Sequence, residues 1–253
     1  MGEAIVGVVI PTLGTRPNYL IQALTSIRSA GESLIYVVTP QPQKLQSMLE
    51  TNLYDKILLD PGTGLSSAID YGLRAFPAYV NYTNWLGDDD LLVPGSITHA
   101  LSIISKNDHI SFVFGRCQYI DEDGKNLWLN KSGAWASSLM RFGPQLIPQP
   151  GALFRRDKYL EIGGLNPELK WAFDLDLLIR LSQVGELRFT PMTLAKFRWH
   201  QGSLSVGGRA GSVVEASAVR VAALPRCLQG VSFFWEKPLQ MLIRHGGSIV
   251  KHL

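Results

Sequence analysis

The stretch from Ala4 to Ile10 is apolar, rich in β-branched residues and stopped by Pro11. A run without polar alternation is the pattern of a strand buried on both faces, so helices must cover it above and below. The next hundred residues supply them. Arg16-Pro17 opens a helix with Leu20, Leu24 and Ile27 on one stripe. Leu34 to Val38 reads as a second buried strand, followed by Pro40, Pro42 and a short helix carrying Leu45, Met48 and Leu49. Lys56 to Leu59 is a third strand. After the loop Asp60-Pro61-Gly62-Thr63-Gly64, Ile69, Leu73 and Phe76 mark a helix at i, i+4, i+7. A fourth strand ends at Leu86, and Pro94 opens a helix with Ile97, Ala100, Leu101 and Ile104. This rhythm predicts an α/β fold: a Rossmann-like, mostly parallel central sheet with helices on both faces.

The second half changes character. Ser111 to Gly115 reads as a strand, Gln118 to Leu129 as a hairpin turning at Asp123-Gly124, and Ala152 to Phe154 as a strand after a proline-rich stretch. Phe173 to Val184 is the best helix here, with Leu175, Leu178 and Ile179 on its apolar side and an Asp176/Arg180 pair. Gly202 to Gly211 reads as a mobile loop. No linker interrupts the chain, so one domain is expected over 1–253. It has a nucleotide-binding half (1–106), an acceptor half (107–205) and a loop and helical tail (206–253).

With 253 residues, 46% hydrophobic and 18% charged, the chain can bury a sizeable core. A net charge of +3 and the lack of any basic run interleaved with aromatics argue against a nucleic-acid partner. The N-terminal apolar run is too short for a signal peptide or a membrane span. Cys117 and Cys227, without metal-ligand spacing, fit a reducing cytoplasm.

In open α/β sheets ligands bind beyond the carboxyl ends of the strands, where Thr12, Thr39, Asp60 and Asp88 to Asp90 all fall. Asp88-Asp89-Asp90 is the sharpest signal. Adjacent unit charges repel by about 4 kcal/mol at an effective dielectric near 20. The cluster is therefore either a solvated acidic turn or a site for a hard cation such as Mg²⁺ or Mn²⁺. Asp174, at the start of its helix, is either an N-cap or a general base. Arg198 and His200 end a strand-like run from Leu194 to Phe197. His200 is either a capped surface histidine or a metal ligand, and Arg198 has the fork geometry for phosphate. The Asp60–Gly64 loop is a weak phosphate-cradle signal.

In this order the motifs resemble the family 2 glycosyltransferases, inverting enzymes of the GT-A fold that use nucleotide-sugar donors. Val8-Val9-Ile10-Pro11-Thr12 resembles their opening strand and proline turn, and Gly64-Leu65-Ser66-Ser67-Ala68-Ile69-Asp70-Tyr71-Gly72 their G-x-S-x-A-x-N-x-G helix start. Trp85 to Gly95 resembles the metal-binding D-x-D region, and Gln149 to Arg156 the strand before the acceptor helix. Phe173-Asp174-Leu175-Asp176-Leu177 resembles the catalytic E-D-x-D-L start, and Arg198-x-His200 the closing R-x-H. The likeness spans roughly residues 5 to 205.

The resemblance implies a GT-A-type fold, Mn²⁺ or Mg²⁺ as cofactor, and Asp174 as catalytic base. Asp89 is then the foremost metal carboxylate. Asp88 and Asp90 share ribose, metal and acceptor contacts undivided, and His200 makes a metal or diphosphate contact. Donor contacts are expected from Pro11, Thr12, Gly14, Arg16, Thr39, Asp60, Gly64, Ser67, Asp88 and Arg198, and acceptor contacts from Gln149, Trp171, Phe173 and Trp199. Implied partners are a nucleotide sugar and a glycan or lipid-linked saccharide of the bacterial surface-polysaccharide kind, with transfer at the cytoplasmic side.

Four departures stand out: Thr39-Pro40-Gln41 where an acidic pair often reads the base, Ile69-Asp70 for Arg-Asn, Gly87 for the first aspartate of D-x-D, and Phe173 for the glutamate before Asp174. Two alternatives stay open, a non-catalytic nucleotide- or carbohydrate-binding module and a sugar nucleotidyltransferase. The tail, with Val231 to Trp235 and Leu239 to Ile243 apolar beside Lys237 and Arg244, is either a packed last helix or a peripheral membrane contact.

Overall fold

The computed structural model describes residues 5–200 and 209–249. Strands β1 (Ile5–Pro11), β2 (Leu34–Thr39), β3 (Lys56–Leu59) and β4 (Val80–Trp85) alternate with helices α1 (Pro17–Ala30), α2 (Pro42–Met48) and α3 (Leu65–Arg74). There follow β5 (Leu91–Leu92), α4 (Ser96–Ile104), the hairpin β6 (Ile110–Ile120) and β7 (Asn126–Asn130), α5 (Trp135–Leu139), β8 (Leu153–Arg155) and α6 (Arg156–Glu161). The chain continues with α7 (Phe173–Val184), β9 (Glu186–Arg198), α8 (Arg209–Ala222), α9 (Arg226–Gln229) and α10 (Phe233–Ile249).

The strands form one sheet in the order β3-β2-β1-β4-β8-β6-β9-β5, with β7 beside β6. The expected α/β architecture is present, with a sheet that is mixed rather than purely parallel. Pairs β2/β3, β1/β2, β1/β4 and β6/β9 run parallel. Pairs β4/β8, β6/β8, β6/β7 and β5/β9 run antiparallel. Apolar periodicity reports burial; strand direction is decided by which neighbour is paired. Here the short β8, arriving from the proline-rich stretch, wedges between β4 and β6.

Burial on both faces follows from the β1 and β2 sequences. Val8 and Val37 face a core with Leu20, Leu24, Ile27 and Ile97. Val9 and Val38 face the opposite core with Ile69, Leu73, Leu178 and Leu181. Helix α3 sits so close to the sheet that a Cβ on Gly72 would stand 2.8 Å from Val9 Cγ1 and 2.9 Å from Val38 Cγ2. Only glycine permits that approach.

The expected loop over Gly202 to Gly211 falls mostly outside the described residues, and from Arg209 the chain is helical. The tail helix α10 packs on α8, as the packed-helix alternative expects. An ion pair between Arg220 and Glu236, both buried, joins them. Phe233, Phe234 and Met241 remain exposed. Among the described residues no helix is long and apolar enough to cross a membrane. Cys117 is buried and Cys227 exposed, and neither is in a disulfide.

Candidate active site

The carboxyl ends of β1 to β4 are brought level by parallel pairing: Pro11 is opposite Val38, Thr39 opposite Leu59, and Val9 opposite Trp85. Their following turns open onto a cleft of about 1150 Å³. Ligand pockets are commonly about 300–1,000 Å³, so this cleft is a large one. Pro11, Thr12, Arg16, Asp60 and Gly64 line it from the strand-end loops, and Asp88, Asp89 and Asp90 from the turn after β4. Gln149, Trp171, Phe173, Asp174 and Trp199 line it from the second half of the chain.

The acidic turn is not a solvated one. Asp88 and Asp90 are buried, at 7% and 4% exposure. The Thr12 hydroxyl donates to Asp88 Oδ2 at 2.6 Å, and Arg16 Nη2 donates to Asp88 Oδ1 at 2.9 Å. The backbone N–H of Arg198 donates to Asp90 Oδ1 at 2.9 Å. Burial raises the carboxyl pKa of Asp88, against the pull of Thr12 and Arg16. Burial and the neighbouring Asp89 carboxylate push Asp90 well above the usual range. Gly87 accounts for its own departure: a Cβ there would lie 2.9 Å from Asp89 Oδ1 and 3.0 Å from Asp90 Oδ2. A first aspartate would crowd the other two.

Asp89 Oδ2 is the focus of the cluster. It lies 2.8 Å from His200 Nε2 and accepts from Arg16 Nη1 at 2.8 Å. Among the described residues no three His, Cys, Asp or Glu side chains form a metal-holding group. Nucleotide-bound Mg²⁺, however, takes only one or two protein carboxylates and completes its shell with phosphate oxygens and water. Asp89 Oδ2, with His200 Nε2 2.8 Å away, is a carboxylate of the kind that suits Mg²⁺ or Mn²⁺.

Asp174 stands in the first turn of α7 but is not its N-cap, a position held by Ala172. Its Oδ1 accepts the Leu175 N–H at 2.8 Å, and Gln145 Nε2 donates to Oδ2 at 2.7 Å. Burial raises its pKa, and the Gln145 amide and backbone N–H groups hold it back. The segment leading into the helix is held from outside. Glu215 on α8 accepts the N–H groups of Lys170 at 2.9 Å and of Trp171 and Ala172 at 2.6 Å each.

Other expected residues are placed as supports. Arg198 is 2% exposed. Its guanidinium donates to the carbonyls of Asp89, Asp121 and Glu122 and to Gln22 Oε1, over the Tyr19 ring. It braces the acidic turn from behind rather than opening toward a phosphate. The Thr39 hydroxyl accepts from Gln41 N at 3.3 Å, and the Gly14 N–H donates to the Thr12 hydroxyl at 3.0 Å. The Asp60 carboxylate closes its own loop by accepting the Gly62 N–H at 2.8 Å. Gln149 Nε2 donates to Asn84 Oδ1 and the Trp85 carbonyl, clipping its loop to β4. Among the described residues Gly14, Thr39, Ser67, Arg198 and His200 lie outside the lining. Trp199 packs edge-on to Trp128, their centroids 5.5 Å apart, with Tyr119 and Phe197 beside it. Gln145 and Glu215 carry no motif, and only the folded neighbourhood of Asp174 marks them.

Sheet order, strand-end cleft and acidic turn together define a GT-A-type glycosyltransferase fold. Comparison with solved structures agrees. The mannosyltransferase PcManGT from Pyrobaculum calidifontis, solved with GDP-Man and Mn²⁺, matches with a TM-score of 0.64 at 14% identity, over 96% of this chain and 75% of that one. S. aureus TarS (residues 1–349) matches with a TM-score of 0.62 at 13% identity, over 88% and 68%. An uncharacterized glycosyltransferase of Rickettsia felis is 28% identical over 220 residues, covering 80% of this chain and 36% of that protein. One from Rickettsia typhi is 26% identical over 207 residues, covering 78% and 64%. The chain thus spans about a third of the first relative's length and under two thirds of the second's. No family model matches the sequence.

Proposed function

We propose that this protein is an inverting, nucleotide-sugar-dependent glycosyltransferase of the family 2 kind, with Asp174 as general base. The observation that carries the reading is that Asp89 and Asp174, 85 positions apart in sequence (174 − 89), line one cleft. Residues 5–106 form the donor side and 107–200 the acceptor side. Asp174, partly shielded and held by Gln145, takes the proton of an acceptor hydroxyl. That oxygen bonds to the anomeric carbon as the carbon–oxygen bond to the nucleoside diphosphate breaks, and the electron pair leaves with the diphosphate. One displacement inverts the centre. Asp89 and His200 are the residues that would hold a divalent cation, with Asp88 and Asp90 shaping the turn. Such a cation, when bound, neutralises the charge growing on the diphosphate. Trp171 and Trp199 offer faces for a saccharide acceptor. A lipid-linked acceptor would bring the exposed Phe233, Phe234 and Met241 near a membrane surface.

A thermal-shift screen of nucleoside diphosphates with and without Mn²⁺, on wild type and Asp89→Ala, tests the donor site. A ligand at about 100 times its Kd adds about 2.7 kcal/mol, a rise of roughly 5–10 °C in a domain of this size. A Mn²⁺-dependent rise with one base, lost in Asp89→Ala, supports the reading and names the donor class. No rise with any nucleotide overturns it in favour of a module without transfer chemistry.

A further inference from the structure

Arg16 holds the position that a divalent cation needs. Its Nη1 lies 2.8 Å from Asp89 Oδ2 and 2.8 Å from His200 Nε2, while Nη2 reaches Asp88 Oδ1 at 2.9 Å. The two atoms best suited to ligate a metal thus share one guanidinium nitrogen. A cation bound to both, at about 2.0–2.2 Å from each, cannot coexist with that nitrogen. The competition extends to the imidazole: metal ligation needs the Nε2 lone pair, and Nε2 already stands 2.8 Å from both Arg16 Nη1 and Asp89 Oδ2. Arg16 is also anchored by geometry rather than by burial. It precedes Pro17 at the start of α1, lines the cleft, and its side chain is 35% exposed.

We infer that Arg16 is the resident counter-cation of the Asp88–Asp89–His200 cluster, displaced when metal and nucleoside diphosphate arrive together. The inference rests on the donor-site reading above and gives Arg16 a role within it. Without a ligand, the guanidinium relieves repulsion between two adjacent carboxylates, so the turn is held ready and free metal is resisted. A divalent cation relieves that repulsion with more charge and releases the guanidinium. The freed fork, still tethered at the rim of the cleft, matches the oxygens of a diphosphate. Cation and diphosphate therefore bind as a coupled pair, because the first supplies a partnerless arginine and the second supplies its new partner. A linked pair of this kind strengthens each ligand by the same factor.

The test reads metal binding directly, from loss of the free Mn²⁺ signal in electron paramagnetic resonance. Wild type, Arg16→Gln and Arg16→Lys are titrated with Mn²⁺ alone and with UDP, GDP or CDP present, melting curves verifying that each is folded. Arg16→Gln is expected to bind Mn²⁺ alone at least tenfold tighter than wild type, and to gain less from the nucleotide. Arg16→Lys, whose single ammonium reaches one carboxylate at a time, is expected between the two, and it serves alone should Arg16→Gln not fold. Mn²⁺ binding no tighter in either variant overturns the inference while leaving the donor site standing, provided wild type takes Mn²⁺ with a nucleotide. Wild type taking no Mn²⁺ with any nucleotide, while Arg16→Gln binds it alone, overturns the donor-site reading and with it the displacement of Arg16 by metal and diphosphate. No Mn²⁺ binding in any protein under any condition overturns both.

Discussion

Gln145 donates its side-chain amide to Oδ2 of Asp174 at 2.7 Å, from the proline-rich loop between α5 and β8. The contact sets the ionisation of the proposed base. Burial raises the Asp174 pKa above the ordinary carboxylate value, and the Gln145 amide is the foremost influence lowering it again. Removing the amide in Gln145→Leu lets the pKa climb further. A general base works only when ionised, so the acid limb of the kcat/KM profile is expected to move to higher pH in Gln145→Leu. An acid limb left in place would separate Gln145 from the base.

The same raised pKa predicts opposite effects on activity and stability. The folded protein binds the Asp174 proton more tightly than the unfolded chain does. Its protonation therefore adds stability below the ordinary carboxylate range, and that gain is lost as pH rises through the raised folded-state value. At pH 7 the ionised, shielded carboxylate is a cost, and Asp174→Asn removes it. The Asn oxygen still accepts the Leu175 N–H, and the Gln145 amide can rotate to present its oxygen. Transfer should fall by about 10²–10⁴-fold, while the melting temperature at pH 7 rises. A clear fall in melting temperature would show that the charge pays for itself at the helix N-terminus.

Glu215 holds the approach to the same helix. One charged carboxylate accepts three successive backbone N–H groups, those of Lys170, Trp171 and Ala172. Hydrogen bonds to a charged acceptor contribute about 1.5–3 kcal/mol. Glu215→Ala is expected to lose roughly 2–3 kcal/mol and, through misplacement of Asp174, much of the turnover. Glu215→Gln, which keeps an acceptor oxygen, should lose about half as much stability. Equal urea midpoints for wild type and Glu215→Ala would contradict this.

These residues mark the boundary of what the sequence discloses. The β1 to β4 strands and their helices are legible because their apolar runs and stripes report burial on both faces. The acidic turn is legible because three adjacent carboxylates have no packing use. The antiparallel entry of β8 and the parallel pairing of β6 with β9 are not, because burial patterns carry no direction. Arginine is the hardest residue type to place. Arg16 and Arg198 are both expected among the donor contacts, yet the fold surrounds Arg198 with the carbonyls of Asp89, Asp121 and Glu122 and leaves Arg16 on the carboxylates. Which partner an arginine meets is set by loops distant in sequence. Gln145 and Glu215 are hidden for the same reason.

The buried pair Arg220–Glu236 ties this boundary to the tail. Arg220 Nε and Nη2 donate to the two carboxylate oxygens of Glu236 at 2.9 and 2.7 Å, with side chains 1% and 4% exposed. Removing one partner strands a buried charge and typically costs about 3–5 kcal/mol, whereas replacing both by apolar side chains is often neutral. Arg220→Met and Glu236→Leu alone should each destabilise strongly, and the double variant should recover most of the loss. Glu215 lies on α8 five positions before Arg220 (220 − 215), so the pair also holds the helix that pins the approach to α7. Each single variant should therefore lose transfer at temperatures where it remains folded, and the double variant should regain it. If the double variant regains stability but not transfer, the guanidinium itself acts in the cleft that it lines, and its role is contact rather than support.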